Sequence, residues 1–147
     1  MYFLRVQHNE SVHKIKSALM KSHKDGRRTI VDSVFSQLAY LQKQVKLRRM
    51  TVAQAQQIAI DMIRSYVSSE GDYIWVNDLD CKLVVHPAKN IIGPSVKKYR
   101  TPTGRYIFQE LVELCKKKGK GYVSYYGFRK GDDPKEADPE LKLSYVS

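Results

Sequence analysis

The chain has 147 residues, 42% hydrophobic and 28% charged, with 26 Lys and Arg against 15 Asp and Glu. That length suits one domain with its own core, and the composition excludes wholesale disorder. The formal net charge of +11 points to nucleic acid, anionic lipid or acidic ligands as partners, or to nothing more than a solvated positive surface. The basic residues are spread over Lys14 to Arg28, Lys43 to Arg49 and Lys116 to Lys120. No zinc finger, aromatic RNA-binding motif or short basic arm goes with them, so nucleic acid ranks behind a small ligand.

His8 to Leu47 reads as a helix. Val31, Val34, Leu38, Leu41 and Val45 recur at a three-four spacing, with Ile30 and Phe35 widening the stripe. Val12, Ile15 and Leu19 extend it upstream. Gly26 is a candidate interruption, costing about 1 kcal/mol relative to Ala if it stays helical. The opposite face is basic or amide, so the helix must pack on a sheet or on a partner chain. Thr51-Val52-Ala53-Gln54 has the form of a capping box and starts a second helix, with Ala55, Ile58, Met62 and Tyr66 as its buried face.

Two short strands follow, Tyr73 to Val76 and Lys82 to Val85, joined by a turn over Asn77 to Asp80 and ended by Pro87. Alternation puts Tyr73, Trp75 and Asn77 on one side and Ile74, Val76 and Asp78 on the other. The aromatic and polar side is where a ligand is expected. Ala88 to Arg100, broken by Gly93-Pro94, reads as a loop with one turn of helix. Thr103 is the expected cap of a third helix over Gly104 to Lys118. Its apolar face is Ile107, Phe108, Leu111, Leu114 and Cys115, and Gly119 and Gly121 end it. Tyr122 to Phe128 is a strand with Tyr122, Ser124 and Tyr126 opposite Val123 and Tyr125. After an acidic loop over Gly131 to Pro139, Leu141 to Val146 resumes the sheet with Lys142 and Ser144 opposite Leu143 and Tyr145. Helix, helix, hairpin, helix, hairpin predicts an α+β fold with an antiparallel sheet.

The two cysteines, Cys81 in a turn and Cys115 on a helix, make no metal motif and prove no disulfide. No apolar run approaches the roughly 20 residues of a membrane helix. There is no Gly-rich phosphate loop, no nucleophile elbow and no metal-ligand spacing among His8, His13, His23 and His86, so no enzyme, metal or cofactor is expected.

Taken in order, several segments resemble the single Cache domains (type 2-like) of bacterial chemoreceptors and membrane sensors. They are Tyr73-Ile74-Trp75-Val76-Asn77-Asp78, Leu83-Val84-Val85-His86-Pro87 with Ile92-Gly93, Gly104-Arg105 with Phe108-Gln109-Glu110, Gly121-Tyr122-Val123-Ser124-Tyr125-Tyr126 and Lys142-Leu143-Ser144-Tyr145-Val146. The similarity covers Ile30 to Val146. It departs from the family where Cys81 replaces a turn Gly, where Thr101 stands for a frequent Asp, and where the family's last strand is lacking. The resemblance implies a long N-terminal helix packed on a PAS-like antiparallel sheet. Residues 1–29 would be a membrane-proximal helical segment and residues 30–147 the sensor domain. It also implies a periplasmic location in an inner-membrane receptor used in chemotaxis, anchored by flanking membrane helices, and a homodimer formed through the long helix.

The resemblance further implies a small carboxylate ligand such as acetate, propionate, pyruvate or lactate. A carboxylate taken out of water needs charge-assisted donors. Lys142 supplies a cation, Tyr73, Tyr125 and Tyr145 offer hydroxyls, and His86 offers a ring N–H. Trp75 and Phe108 would enclose a short alkyl tail at about 0.8 kcal/mol per buried methylene. Each residue has a plainer alternative. His86 could tie its loop to a backbone carbonyl, Trp75 could anchor the core, Lys142 could be an exposed strand lysine, and Asp78 is better read as a turn cap. Alternation puts Lys142 and Tyr145 on opposite faces, so both cannot point straight at one pocket without a bulge. The competing functional reading is a structural or dimerisation module whose pocket is filled by its own side chains.

Overall fold

A computed structural model describes residues 2–68, 71–87, 89–128 and 132–147, with no account of the side chains before Lys14 or of Asn90. Ala88 and Gly131, at the starts of two expected loops, and the side chains of His8 and His13 lie outside the described set. The order is α1 (Tyr2–Lys46), α2 (Val52–Ser65), β1 (Val76–Asn77), β2 (Leu83–Val85), α3 (Ile107–Lys118), β3 (Gly121–Gly127) and β4 (Glu140–Val146). The strands pair antiparallel in two ribbons, β1 with β2 and β3 with β4. The expected α+β architecture, a long helix with antiparallel strands, is present.

α1 runs unbroken through Gly26, where an added Cβ would meet nothing within 4 Å. Ala could therefore replace it, and the glycine weakens the helix locally without ending it. Val31, Val34, Leu38, Leu41 and Val45 face inward as the spacing requires, and Leu41 is buried. Phe35 does not join them and stays 48% exposed, while Gln44 is buried. α1 contacts α2 and β4 through the three-four stripe, and Phe35 lies outside that contact. α1 closes with Arg48 at φ 55°, its N–H donating to the Val45 carbonyl at 2.9 Å.

α2 begins on the capping box. Gln54 N–H donates to Thr51 Oγ1 at 3.1 Å, and Thr51 N–H donates to Gln54 Oε1 at 2.9 Å. Such a cap contributes about 1 kcal/mol. Its inward face is Ala55 and Ile63, with Met62 and Tyr66 half-buried, whereas Ile58 is exposed. Ile63 was not foreseen as core.

α3 starts three residues later than expected. Thr103 spends its hydroxyl on Thr101 Oγ1 at 3.0 Å, and the Arg105 and Gly104 N–H groups turn back onto Thr101. Residues 101–105 thus close a turn of their own, with Gly104 at φ 83°. Helix begins only after Tyr106, which makes no side-chain cap. Ile107, Leu111 and Val112 are its buried residues. Gly119 ends it at φ 75°, donating to the Cys115 carbonyl, while Gly121 opens β3.

β3 and β4 pair in full register, Tyr122 opposite Tyr145 and Tyr125 opposite Lys142. The Tyr122 and Tyr145 rings (4.9 Å between centroids) occupy the side toward α1, where Tyr122 Oη donates to the Lys24 carbonyl at 2.8 Å. On the other side α3 approaches so closely that a Cβ at Gly121 would lie 2.9 Å from Leu114 Cδ2. The hairpin is therefore held between α1 and α3. Leu83 and Val85 of β2 complete the core, 2% and 3% exposed, with Val84 turned outward.

Candidate functional site

The β1–β2 turn is built on Asp78. Its Oδ1 accepts from the Asp80 and Lys82 N–H groups at 3.0 and 2.8 Å, which makes it the turn cap that its position suggests. Cys81 sits in this turn at φ 59° with its thiol buried. A left-handed conformation without glycine costs roughly 1–2 kcal/mol, offset here by burial of the side chain. Burial also pushes the thiol pKa up, as it does for Cys115, and both cysteines are free. Neither has the lowered pKa of a reactive thiol.

Beyond the turn, four of the expected site residues meet. The Tyr73 ring lies edge-on to His86 at 5.1 Å and 6.2 Å from Trp75, and Trp75 is edge-on to Phe108 at 6.4 Å. Trp75 Nε1 donates to Asn77 Oδ1 at 3.1 Å, so the indole is oriented and its polar atom satisfied. Aromatic edge-to-face pairs of this kind contribute about 0.5–1.5 kcal/mol each. Tyr99, in the segment expected to be loop, joins the cluster edge-on to Phe108 at 5.7 Å.

Tyr125 comes from β3 on the side away from α1. Burial raises its pKa, partly offset by the Ser144 hydroxyl, which donates to it at 3.4 Å; the nearby Tyr99 phenol raises it further. Burial raises Tyr73 as well, with Tyr125 and then Tyr99 adding to the shift. With both pKa values raised, Tyr73 and Tyr125 keep their phenol protons and can donate. Lys142 stands opposite Tyr125 on the same side, half-buried, with its ammonium donating to the Phe128 carbonyl.

Tyr145 does not join this group. It lies on the α1 side against Tyr122, because strand alternation sends it away from Lys142 and no bulge intervenes. Tyr99 and Ser144 are the residues that sequence reasoning passed over. Ser144 shares a face with Lys142 by alternation and could have been found; Tyr99 carried no periodic signal.

Arg105 fastens the turn before α3 to the rest of the site. Its Nε donates to Glu110 Oε1 at 3.0 Å, its Nη2 pairs with Glu110 Oε2, and its Nη1 donates to the Ser124 carbonyl at 2.7 Å. The Arg105 hydrogen bond is the largest cause holding the Glu110 carboxyl below its usual range. A carboxylate with a depressed folded pKa stabilises the fold above its unfolded pKa, and that stability is lost as pH falls through the folded pKa. Thermal melts should therefore show Glu110→Gln less stable than wild type near neutral pH. The difference should be small, below about 1 kcal/mol because both side chains are 40% exposed, and should vanish as pH falls through the folded pKa of Glu110.

Among the described residues no group of three or more His, Cys, Asp or Glu could hold a metal ion, and no helix is long and apolar enough to cross a membrane. Tyr73, Trp75, His86, Phe108 and Tyr99 thus form one aromatic cluster, and Lys142 lies beside Tyr125 on the hairpin face away from α1.

Residues 6–147 match the family profile of the Cache domain. The methyl-accepting chemotaxis protein McpP of Pseudomonas putida is 28% identical over 134 residues, covering 90% of this chain and 24% of its own length. The chain thus spans about a quarter of that relative. Two solved structures superpose with a TM-score of 0.75. One is a periplasmic sensor domain of a chemotaxis protein, 24% identical, covering 86% of this chain and 85% of its own. The other, from work on carboxylic acid recognition by a Cache chemosensory domain, is 29% identical and covers 88% of this chain and 86% of its own. With the profile matching nearly its whole length, the chain belongs to the Cache domain family.

Proposed function

We propose that this chain is the ligand-sensing domain of a chemotaxis receptor, placed in the periplasm and recognising a small carboxylate of the acetate, propionate, pyruvate or lactate type. The observation that supports this best is the meeting of Lys142 with Tyr125 and Ser144 on the hairpin face away from α1, on the same side as α3, whose Phe108 contacts the Tyr73, Trp75 and His86 cluster. The likeness to a Cache domain studied for carboxylic acid recognition supports the same ligand class. Lys142 would pair with the carboxylate, and Tyr73, Tyr125 and His86 would donate to its oxygens. Trp75 and Phe108 would enclose the tail.

The role is binding rather than catalysis. Ligand would favour one arrangement of the strands and shift that population, and α1 would pass the change toward the membrane. A homodimer along α1 suits the exposed Phe35 and Tyr40, which a second copy would cover. Calorimetric titration of the folded chain with the four acids tests the ligand class. Saturable binding of at least one is expected; heats of dilution alone for all four would overturn it in favour of a module without a small ligand.

A further inference from the structure

We propose that the Arg27–Asp72 ion pair is the tie through which the ligand site and α1 move together, so that Arg27 is a positioning residue for signalling and not for binding. This deepens the sensing role proposed above and rests on it for its second arm only. Arg27 Nη2 lies 3.3 Å from each carboxylate oxygen of Asp72, and Nη1 donates to the His23 carbonyl one turn back at 3.3 Å. The guanidinium is thereby braced on α1 while it grips a different part of the chain.

That part leads straight into the site. Asp72 N–H donates to Ser68 Oγ at 3.0 Å, the Ser68 N–H donates to the Asp72 carbonyl at 2.9 Å, and Gly71 sits at φ 83° between them. Val67 bridges Tyr73 across this loop. The next residue after Asp72 is Tyr73, whose ring packs on His86 and Trp75. A displacement of the Tyr73 backbone therefore reaches Asp72 across one peptide unit.

Around the pair the contact is open. Ser22, His23, Gly26, Arg27, Ile30, Tyr66, Ser68 and Asp72 line a groove of about 320 Å³. Here Gly26 presents no side chain to the loop, and the ion pair crosses a gap that close packing does not fill. Partly exposed pairs contribute little to global stability, so loss of this one should loosen the connection without unfolding the domain.

Hydrogen exchange followed by mass spectrometry tests the tie in two arms. Without ligand, Arg27→Gln and Asp72→Asn should each speed exchange of the amides of residues 72–77 by about threefold, a local opening, with α3 and the β3–β4 hairpin unchanged. Wild-type rates at 72–77, or an equal rise over the whole chain, would overturn the proposal. In the second arm, whichever of acetate, propionate, pyruvate or lactate binds should protect residues 22–30 in wild type. In Arg27→Gln it should bind within about threefold of wild type yet leave residues 22–30 unprotected. Retained protection there would overturn the coupling. Should none of the four acids bind, the ligand assignment fails while the first arm still decides whether the tie exists.

Discussion

Replacing Lys142 with methionine is expected to lower the affinity for a short carboxylate by about 100-fold or more while leaving the domain folded. A hydrogen bond to a charged partner is worth about 1.5–3 kcal/mol, and about 2.7 kcal/mol corresponds to 100-fold in affinity. The loss grows if the carboxylate then stays in the site without a counter-charge. Methionine has nearly the length of the lysine stem, which runs so close over Gly127 that an added Cβ there would sit 3.3 Å from Lys142 Cδ. Packing is thus kept and charge removed. Tyr125→Phe should cost less, about 0.5–1.5 kcal/mol, because it deletes one neutral donor. Calorimetry with circular dichroism melts measures both. Wild-type affinity in a folded Lys142→Met protein would place the anion elsewhere.

Leu83→Ala is expected to destabilise the fold by about 2–5 kcal/mol, against less than about 0.5 kcal/mol for Val84→Ala. Leu83 is 2% exposed and its neighbour Val84 is 46% exposed, so adjacent residues of one strand should differ by a sizeable part of a domain's margin of about 5–15 kcal/mol. For a chain of this size each kcal/mol moves Tm by about 2–4 °C, so the first variant should melt roughly 10 °C lower. Denaturant titration gives the same comparison through the transition midpoint. Equal effects at the two positions would mean that β2 is paired in a slipped register.

That contrast follows from alternation alone, and alternation was the most legible signal in the chain. It assigned the faces of β3 and β4 and separated Tyr145 from Lys142. The three-four spacing in α1 and the Thr51 box were equally direct, because each is a local rule satisfied by residues close in sequence. What stayed hidden depends on distant partners. Whether Phe35 or Ile58 is covered depends on how wide the α1–α2 contact is, not on the helix that carries each residue. Thr103 had a sound cap sequence but found Thr101 first. The single expected sheet appears as two ribbons, since hydrophobic pattern specifies faces and says nothing about which edges meet. Within the site, Trp75, His86 and Phe108 came from motifs, whereas Tyr99 could be found only once the chain had folded it back onto Phe108.

If the proposed tie at Arg27 acts as a fulcrum, the unbroken run of α1 through Gly26 would make the helix a lever. At 1.5 Å per residue, the stretch from Arg27 back to Tyr2 spans about 38 Å, so a tilt of about 5° at the fulcrum swings the far end by about 3 Å. Motions too slight to disturb the packing of the aromatic cluster would be magnified into a stroke comparable to half a helical turn.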